Sequence, residues 1–127
     1  ILEDILLQDE NNVLSMNALA YTLAEEKRDL ERALILAGKA MAKDPDNTSI
    51  RDTLAWVYYQ LGDYQEAWHH IKICIAKGVT DAVIWEHYGD IALAINNKDA
   101  ARQAYARALE LKPDNMTKLR KKAANIK

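Results

Sequence analysis

Acidic side chains are the first candidates for chemistry in this sequence. Glu86 and Asp90 are four residues apart, so on a helix their carboxylates lie on one face. Like charges at that spacing destabilise a helix by a few tenths of a kcal/mol, roughly, which suggests a function such as attracting a basic segment. The two carboxylates have two other interpretations. As a catalytic pair they would need one carboxyl in a dry pocket that raises its pKa. As a merely solvated helix face they would have no partner. We expect no catalysis, because an open helical surface is wet.

Histidine and cysteine side chains do not combine into a second site. His69 and His70 are neighbours, about 100° apart on a helix, and His87 belongs to a different helix. No set of Cys, Asp or Glu completes four ligands, so we expect histidines on the surface or in packing contacts, with no metal and no cofactor. Cys74 aligns with alanines and is predicted to be a small buried side chain rather than a reactive thiol.

The chain repeats itself with a period of 34 residues. Segment 85–89 aligns with 51–55, and downstream of it Ala67 aligns with Ala101 and Ile71 with Tyr105. A fixed period of this length predicts stacked helix pairs, which usually present a surface for binding. The 127 residues include only four Gly and two Pro, which favours helices joined by short turns in an all-α fold.

The repeat pattern predicts a single domain over residues 1–127. Three full units are expected at 13–47, 48–81 and 82–115, the first one residue longer in the turn near 27–29. Residues 1–12 are predicted to be the second helix of a truncated preceding repeat. Residues 116–127 are predicted to be a capping helix with its apolar side inward and its cations outward. The chain begins without Met and in the middle of the pattern, as a fragment would.

The motif within each unit resembles the tetratricopeptide repeat (TPR). That family combines large-x2-Leu-Gly/Ala-x2-Tyr with Ala-x3-aromatic and a final Pro. The third unit reads Trp85-x2-Tyr88-Gly89-x2-Ala92, Ala101-x3-Tyr105 and Pro113, and the other units match in register. The phrasing is similar to that of bacterial members. The resemblance implies a right-handed α-solenoid of helix-turn-helix repeats.

The resemblance also implies a concave groove lined by the first helix of each unit. An aromatic stripe beside carboxylates would suit recognition of a peptide, apolar with basic residues. Alternatively, Tyr21 and Trp56 only pack between neighbouring helices. The predicted partner-binding residues are Asn17, Tyr21, Asp52, Trp56, Tyr59, Glu86 and Asp90.

One specialisation of the family is not expected. Repeats that hold the terminal carboxylate of heat-shock chaperones do so with Lys, Asn and Arg side chains. The matching positions here are Asn17, Tyr21, Thr53, Val83 and His87, and none matches. We therefore predict no binding of this kind.

The sequence thus predicts a scaffold or adaptor for protein–protein interaction, not an enzyme. The alternative is a structural module that stacks with further repeats or with a copy of itself. Net charge is −2, with five cations and no acid in 116–127, so we expect no nucleic-acid partner. No apolar run is long enough to span a membrane. The sequence leaves both the cytoplasm and the bacterial envelope as possible compartments, and the resemblance points to the envelope.

Overall fold

The computed structural model describes residues 12–127, and these contain seven helices and no strand. In chain order the helices are α1 (Val13–Glu26), α2 (Leu30–Lys43), α3 (Thr48–Leu61), α4 (Tyr64–Ala76), α5 (Ala82–Ala94), α6 (Lys98–Glu110) and α7 (Met116–Ala124). The predicted all-α helical repeat fold is confirmed. The partial repeat predicted at 1–12 lies outside the described residues, apart from Asn12.

Polar side chains cap the first turn of several helices. Asn12, Asn47 and Asn97 each accept a hydrogen bond from the backbone N–H three residues on, which satisfies one orphan donor of the first turn. Asp63 caps α4 in the same way, and Asp81 caps α5 by accepting from the backbone N–H two residues on. These caps fix the residue at which each of these helices begins.

Residues with positive φ end several helices. Gly62 ends α3 at φ 85°, and its N–H and that of Asp63 bond back to carbonyls of the last turn. The turn after α1 contains the extra residue of the first repeat (13–47), and in this turn Lys27 and Asp29 both have positive φ. A longer turn is tolerated at this point because it lies outside both helices.

The chain divides into two compact units, and the division falls within α4. The first unit extends to His70, and its core consists of apolar side chains from α1, α2 and α3, which pack on one another. The core includes small residues such as Ala20, Ala33 and Ala37, which let the helices approach closely.

The second unit, Ile71–Lys127, is built on α5, α6 and α7. The ring of Tyr105 on α6 is fully buried and lies directly over Gly89 of α5. A Cβ at Gly89 would lie 2.5–2.9 Å from three atoms of that ring, so the glycine is required by the close approach. Leu119 anchors α7, and it too is fully buried.

Candidate functional site

In the first unit the predicted groove residues lie on α1 and α3, but they are less exposed than expected. Trp56 is only 7% exposed, and Asp52 is also buried. Asn17, Tyr21 and Tyr59 are half-buried. The ring of Trp56 is part of the core, which agrees with the alternative that it packs between neighbouring helices. Contact of Trp56 and Asp52 with a partner stays a prediction.

A hydrogen bond and a ring stack hold Trp56 in place. Its indole Nε1–H donates to Oε1 of Glu25, at the end of α1, over 2.8 Å. The ring stacks on Tyr59 with centroids 4.7 Å apart and planes 8° from parallel. Glu25 is exposed and follows Tyr21 by one helical turn, so the spacing could have identified it as part of this surface. We call Tyr21, Glu25, Trp56 and Tyr59 the aromatic surface.

Asn17 carries an unexplained polar atom next to this surface. Its Oδ1 is buried and accepts no hydrogen bond from the described residues. A buried acceptor without a donor costs about 1–3 kcal/mol. A polar residue retained at such a cost is more typical of a functional position than of packing.

The acidic pair of the second unit is bound by the chain itself. Lys122 of α7 donates to Oε2 of Glu86 over 2.6 Å and to both carboxylate oxygens of Asp90 over 3.0 Å. Asn115 donates to Oε1 of Glu86 over 2.8 Å, and the Tyr105 hydroxyl donates to Asp90 over 2.6 Å. Glu86 and Asp90 are therefore not an open acidic patch.

The directions of the pKa shifts of Glu86 and Lys122 agree with this ion-paired arrangement. Burial alone would raise the pKa of Glu86, but hydrogen bonds from Lys122 and Asn115 outweigh it and hold the pKa below its usual range. Burial alone would lower the pKa of Lys122, but its bonds to the two carboxylates raise it overall. The pair stays ionised near neutral pH, and Glu86 is not the protonated acid that general acid catalysis would need.

The inward position of Lys122 corrects the prediction that the cations of residues 116–127 all face outward. Lys118, Arg120, Lys121 and Lys127 are exposed, as expected, whereas Lys122 is half-buried. Helix α7 thus attaches to α5 through charge as well as to the core through Leu119.

The remaining candidates have structural roles. Cys74 is buried, as predicted. His87 is buried, and His70 accepts a hydrogen bond from Arg51. Within residues 12–127, no group of three His, Cys, Asp or Glu side chains could hold a metal ion. None of the helices in that range is long and apolar enough to cross a membrane.

The seven predicted partner-binding residues divide between the two units. Asn17, Tyr21, Asp52, Trp56 and Tyr59 belong to the first, and Glu86 and Asp90 belong to the second. A groove that runs through all seven remains a prediction.

Residues 53–115 match the family model described as Tetratricopeptide repeat. The chain belongs to the TPR family. Among curated relatives, a TPR repeat-containing protein of Treponema pallidum is 30% identical in an alignment of 112 residues that covers 78% of this chain. A second one, from Pseudomonas aeruginosa, is 27% identical over 86 residues, or 68% of this chain. The chain spans 14% of the length of each of these relatives.

Solved TPR structures have the same fold. The first TPR of Spaghetti, bound to an HSP90 peptide, matches with a TM-score of 0.74 and 22% identity, over 91% of this chain and 94% of that one. YrrB, described as a TPR protein with an unusual peptide-binding site, matches with a TM-score of 0.76 and 20% identity, over 96% of this chain and 62% of that one. At these identities the likeness shows the fold alone.

Proposed function

We propose that this TPR chain is a protein-interaction module that binds a peptide segment of a partner, and that the aromatic surface of the first unit makes the contact. The fold supports this, since peptide-binding TPR proteins share it. The observation that carries the proposal is the juxtaposition of Trp56, Tyr59 and Glu25, which puts rigid aromatic area beside an exposed carboxylate. Aromatic anchors within a polar rim are typical of binding sites.

The roles of the aromatic residues differ within this proposal. Trp56 is the buried support, since it is stacked and hydrogen-bonded and offers little area of its own. Tyr21 and Tyr59 are half-buried, so a partner covers the part of each ring that water now contacts. The partner is a segment with apolar side chains and at least one cation, which Glu25 attracts.

We assign Glu86 and Asp90 a structural role instead of a contact with the partner. The ammonium group of Lys122 occupies the position that a basic side chain of the partner would take. A partner could reach the two carboxylates only after displacing it. We propose no catalytic activity, because the ionised, paired state of Glu86 is the wrong one for an acid.

A pull-down from native extract tests the proposal. The wild type is compared with a Tyr21→Ala/Tyr59→Ala variant and with Ile35→Ala, which removes a large exposed side chain from α2 instead. Equal helicity by circular dichroism is required of all three. We expect proteins that the wild type and Ile35→Ala retain and the double variant loses.

Two outcomes contradict the proposal. If all three chains retain the same proteins, the aromatic surface is not the binding site. If the protein retained is a second copy of this chain, and sedimentation shows a dimer that forms as concentration rises, self-association is the better account.

A further inference from the structure

Three aromatic rings form a continuous ladder in the first unit. Trp56 stacks on Tyr59, and Tyr59 contacts Tyr64 at the start of α4, with centroids 5.6 Å apart and planes 47° from parallel. The ladder begins in the core and ends in water, because Tyr64 is 39% exposed. Leu61, between the two tyrosines in sequence, is exposed to the same extent.

The segment at the exposed end of the ladder is acidic. Residues 59–66 include Asp63 and Glu66 and no cation. Both carboxylates are exposed, and their charges act on Tyr58, the residue that precedes Tyr59 of the ladder. Burial first, and then the charges of Glu66 and Asp63, raise the pKa of Tyr58. A cation is therefore favoured at this end of α3.

The combination of ring faces, apolar surface and carboxylates fits one side chain better than others. The guanidinium group of arginine is planar, stacks on aromatic faces and pairs with a carboxylate through a two-pronged fork. It is also less strongly hydrated than the ammonium group of lysine, so it leaves water at a lower cost. Its aliphatic stem suits an apolar neighbour such as Leu61.

We propose that the partner peptide places an arginine side chain on the exposed end of this ladder, against Tyr59 and Tyr64 and towards the carboxylates of Asp63 and Glu66. This inference rests on the proposed function, since it names the chemistry of the peptide and extends the aromatic surface to Tyr64. It places the specificity of the first unit at the turn where Gly62 ends α3.

The test is an NMR titration of the intact chain with a defined probe. The probe is an acetylated and amidated heptapeptide with two arginines and two leucines separated by glycines. Its twin replaces both arginines with citrulline, which has the same shape without the charge. We expect the arginine peptide to shift the indole N–H resonance of Trp56, and the citrulline peptide to bind at least about fivefold more weakly.

Variants of Tyr64 locate the contact. Tyr64→Leu keeps apolar area but removes the ring, and we expect it to weaken binding of the arginine peptide by about two- to fivefold, whereas Tyr64→Phe keeps the affinity. Tyr88→Leu is the matched control, since Tyr88 is a half-buried tyrosine of the second unit that meets Trp85 edge-on. We expect this control to bind as the wild type does.

Each contrary result overturns a different statement. Equal binding of the citrulline peptide refutes the arginine preference but leaves peptide binding by the aromatic surface intact. Equal affinity of Tyr64→Leu and the wild type refutes the site. Failure of the arginine peptide to bind at millimolar concentration refutes the inference, whereas the proposed function is decided separately by the pull-down.

Discussion

Replacement of Lys122 by methionine removes the cation that holds α7 to the acidic pair. Its ammonium group lies 2.6 Å from Glu86 and 3.0 Å from Asp90. Hydrogen bonds to charged groups contribute roughly 1.5–3 kcal/mol each, but here one cation serves both carboxylates. The side chains of Glu86, Asp90 and Lys122 are 10%, 13% and 26% exposed, so water compensates for only part of the loss. We expect the free energy of unfolding to fall by about 2–4 kcal/mol.

Urea denaturation followed by circular dichroism and by tryptophan fluorescence measures this loss. The midpoint should fall by about 1–2 M for Lys122→Met, given the usual slopes of 1–3 kcal/mol per M. Lys121→Met is the matched control, because it removes the same charge from the next residue, which is exposed. Its effect should stay within about 0.5 kcal/mol. If the two variants unfold at the same urea concentration, the contact is not formed in solution and the acidic pair is open after all.

The pH dependence of the difference between wild type and Lys122→Met provides a second check. The pKa of Glu86 is lowered by folding, so its contribution is present above the unfolded value of about 4.3 and is lost as pH falls through the folded pKa. The pKa of Lys122 is raised, so its contribution is present below about 10.4 and is lost as pH rises through the folded pKa. The difference should therefore be constant near neutrality and shrink at both extremes.

Two further predictions concern the packing of each unit. Arg51 donates to Nδ1 of His70 over 3.0 Å, and burial, followed by the charge of Arg51, lowers the pKa of His70. Below about pH 6.5 the unfolded chain takes up a proton on His70 more readily than the folded chain does, so the free energy of unfolding should fall by at most about 1.4 kcal/mol at pH 5.5. His70→Asn should abolish this effect. His69→Asn, at an exposed position, should retain it. Gly89→Ala should destabilise the chain by about 1–2 kcal/mol in thermal or urea unfolding, despite alanine's higher helix propensity, because the new methyl group meets the Tyr105 ring. The loss should be much smaller in a Tyr105→Ile background, and equal losses in both would contradict the steric explanation.

Local features of this fold could be predicted from the sequence because each depends on neighbouring residues. Aspartate favours the N-cap position, and Asp63 and Asp81 each cap a helix, while Gly62 ends a helix with the positive φ that glycine tolerates. Burial of Cys74 followed from its alignment with alanines, since equivalent positions of a repeat have similar space around them.

The ion pair of Lys122 depends on partners that are distant in the sequence. Glu86 and Asp90 precede it by 36 and 32 residues, and helical periodicity within α7 contains no information about them. One signal was present, however. Lys122 follows Leu119 by three residues, so both lie on the same face of the helix, and a cation on the buried face needs an acid opposite to it.

For Trp56 the sequence left two interpretations open, the lining of a groove and packing between helices. Trp56 aligns with Tyr21 and Asp90 of the other repeats, and the family resemblance implies that this row of equivalent positions lines a groove. Position in a repeat determines direction, but exposure also depends on the size of the side chain and on its neighbours. The indole is large enough to reach the core and still donate to Glu25.

Equivalent positions on that row therefore have different uses in the two units. At Trp56 the hydrogen-bond acceptor is the exposed Glu25, and the stack continues through Tyr59 towards water. At Asp90 the donors are Lys122 and Tyr105, both from within the unit, so its bonding capacity is largely satisfied by the chain itself. Repeat symmetry places both residues, but their surroundings differ, since Trp56 lies beside the exposed Glu25 and Asp90 lies beside Lys122. For this reason the aromatic surface, rather than the acidic pair, is where substitutions should change binding without first unfolding the protein.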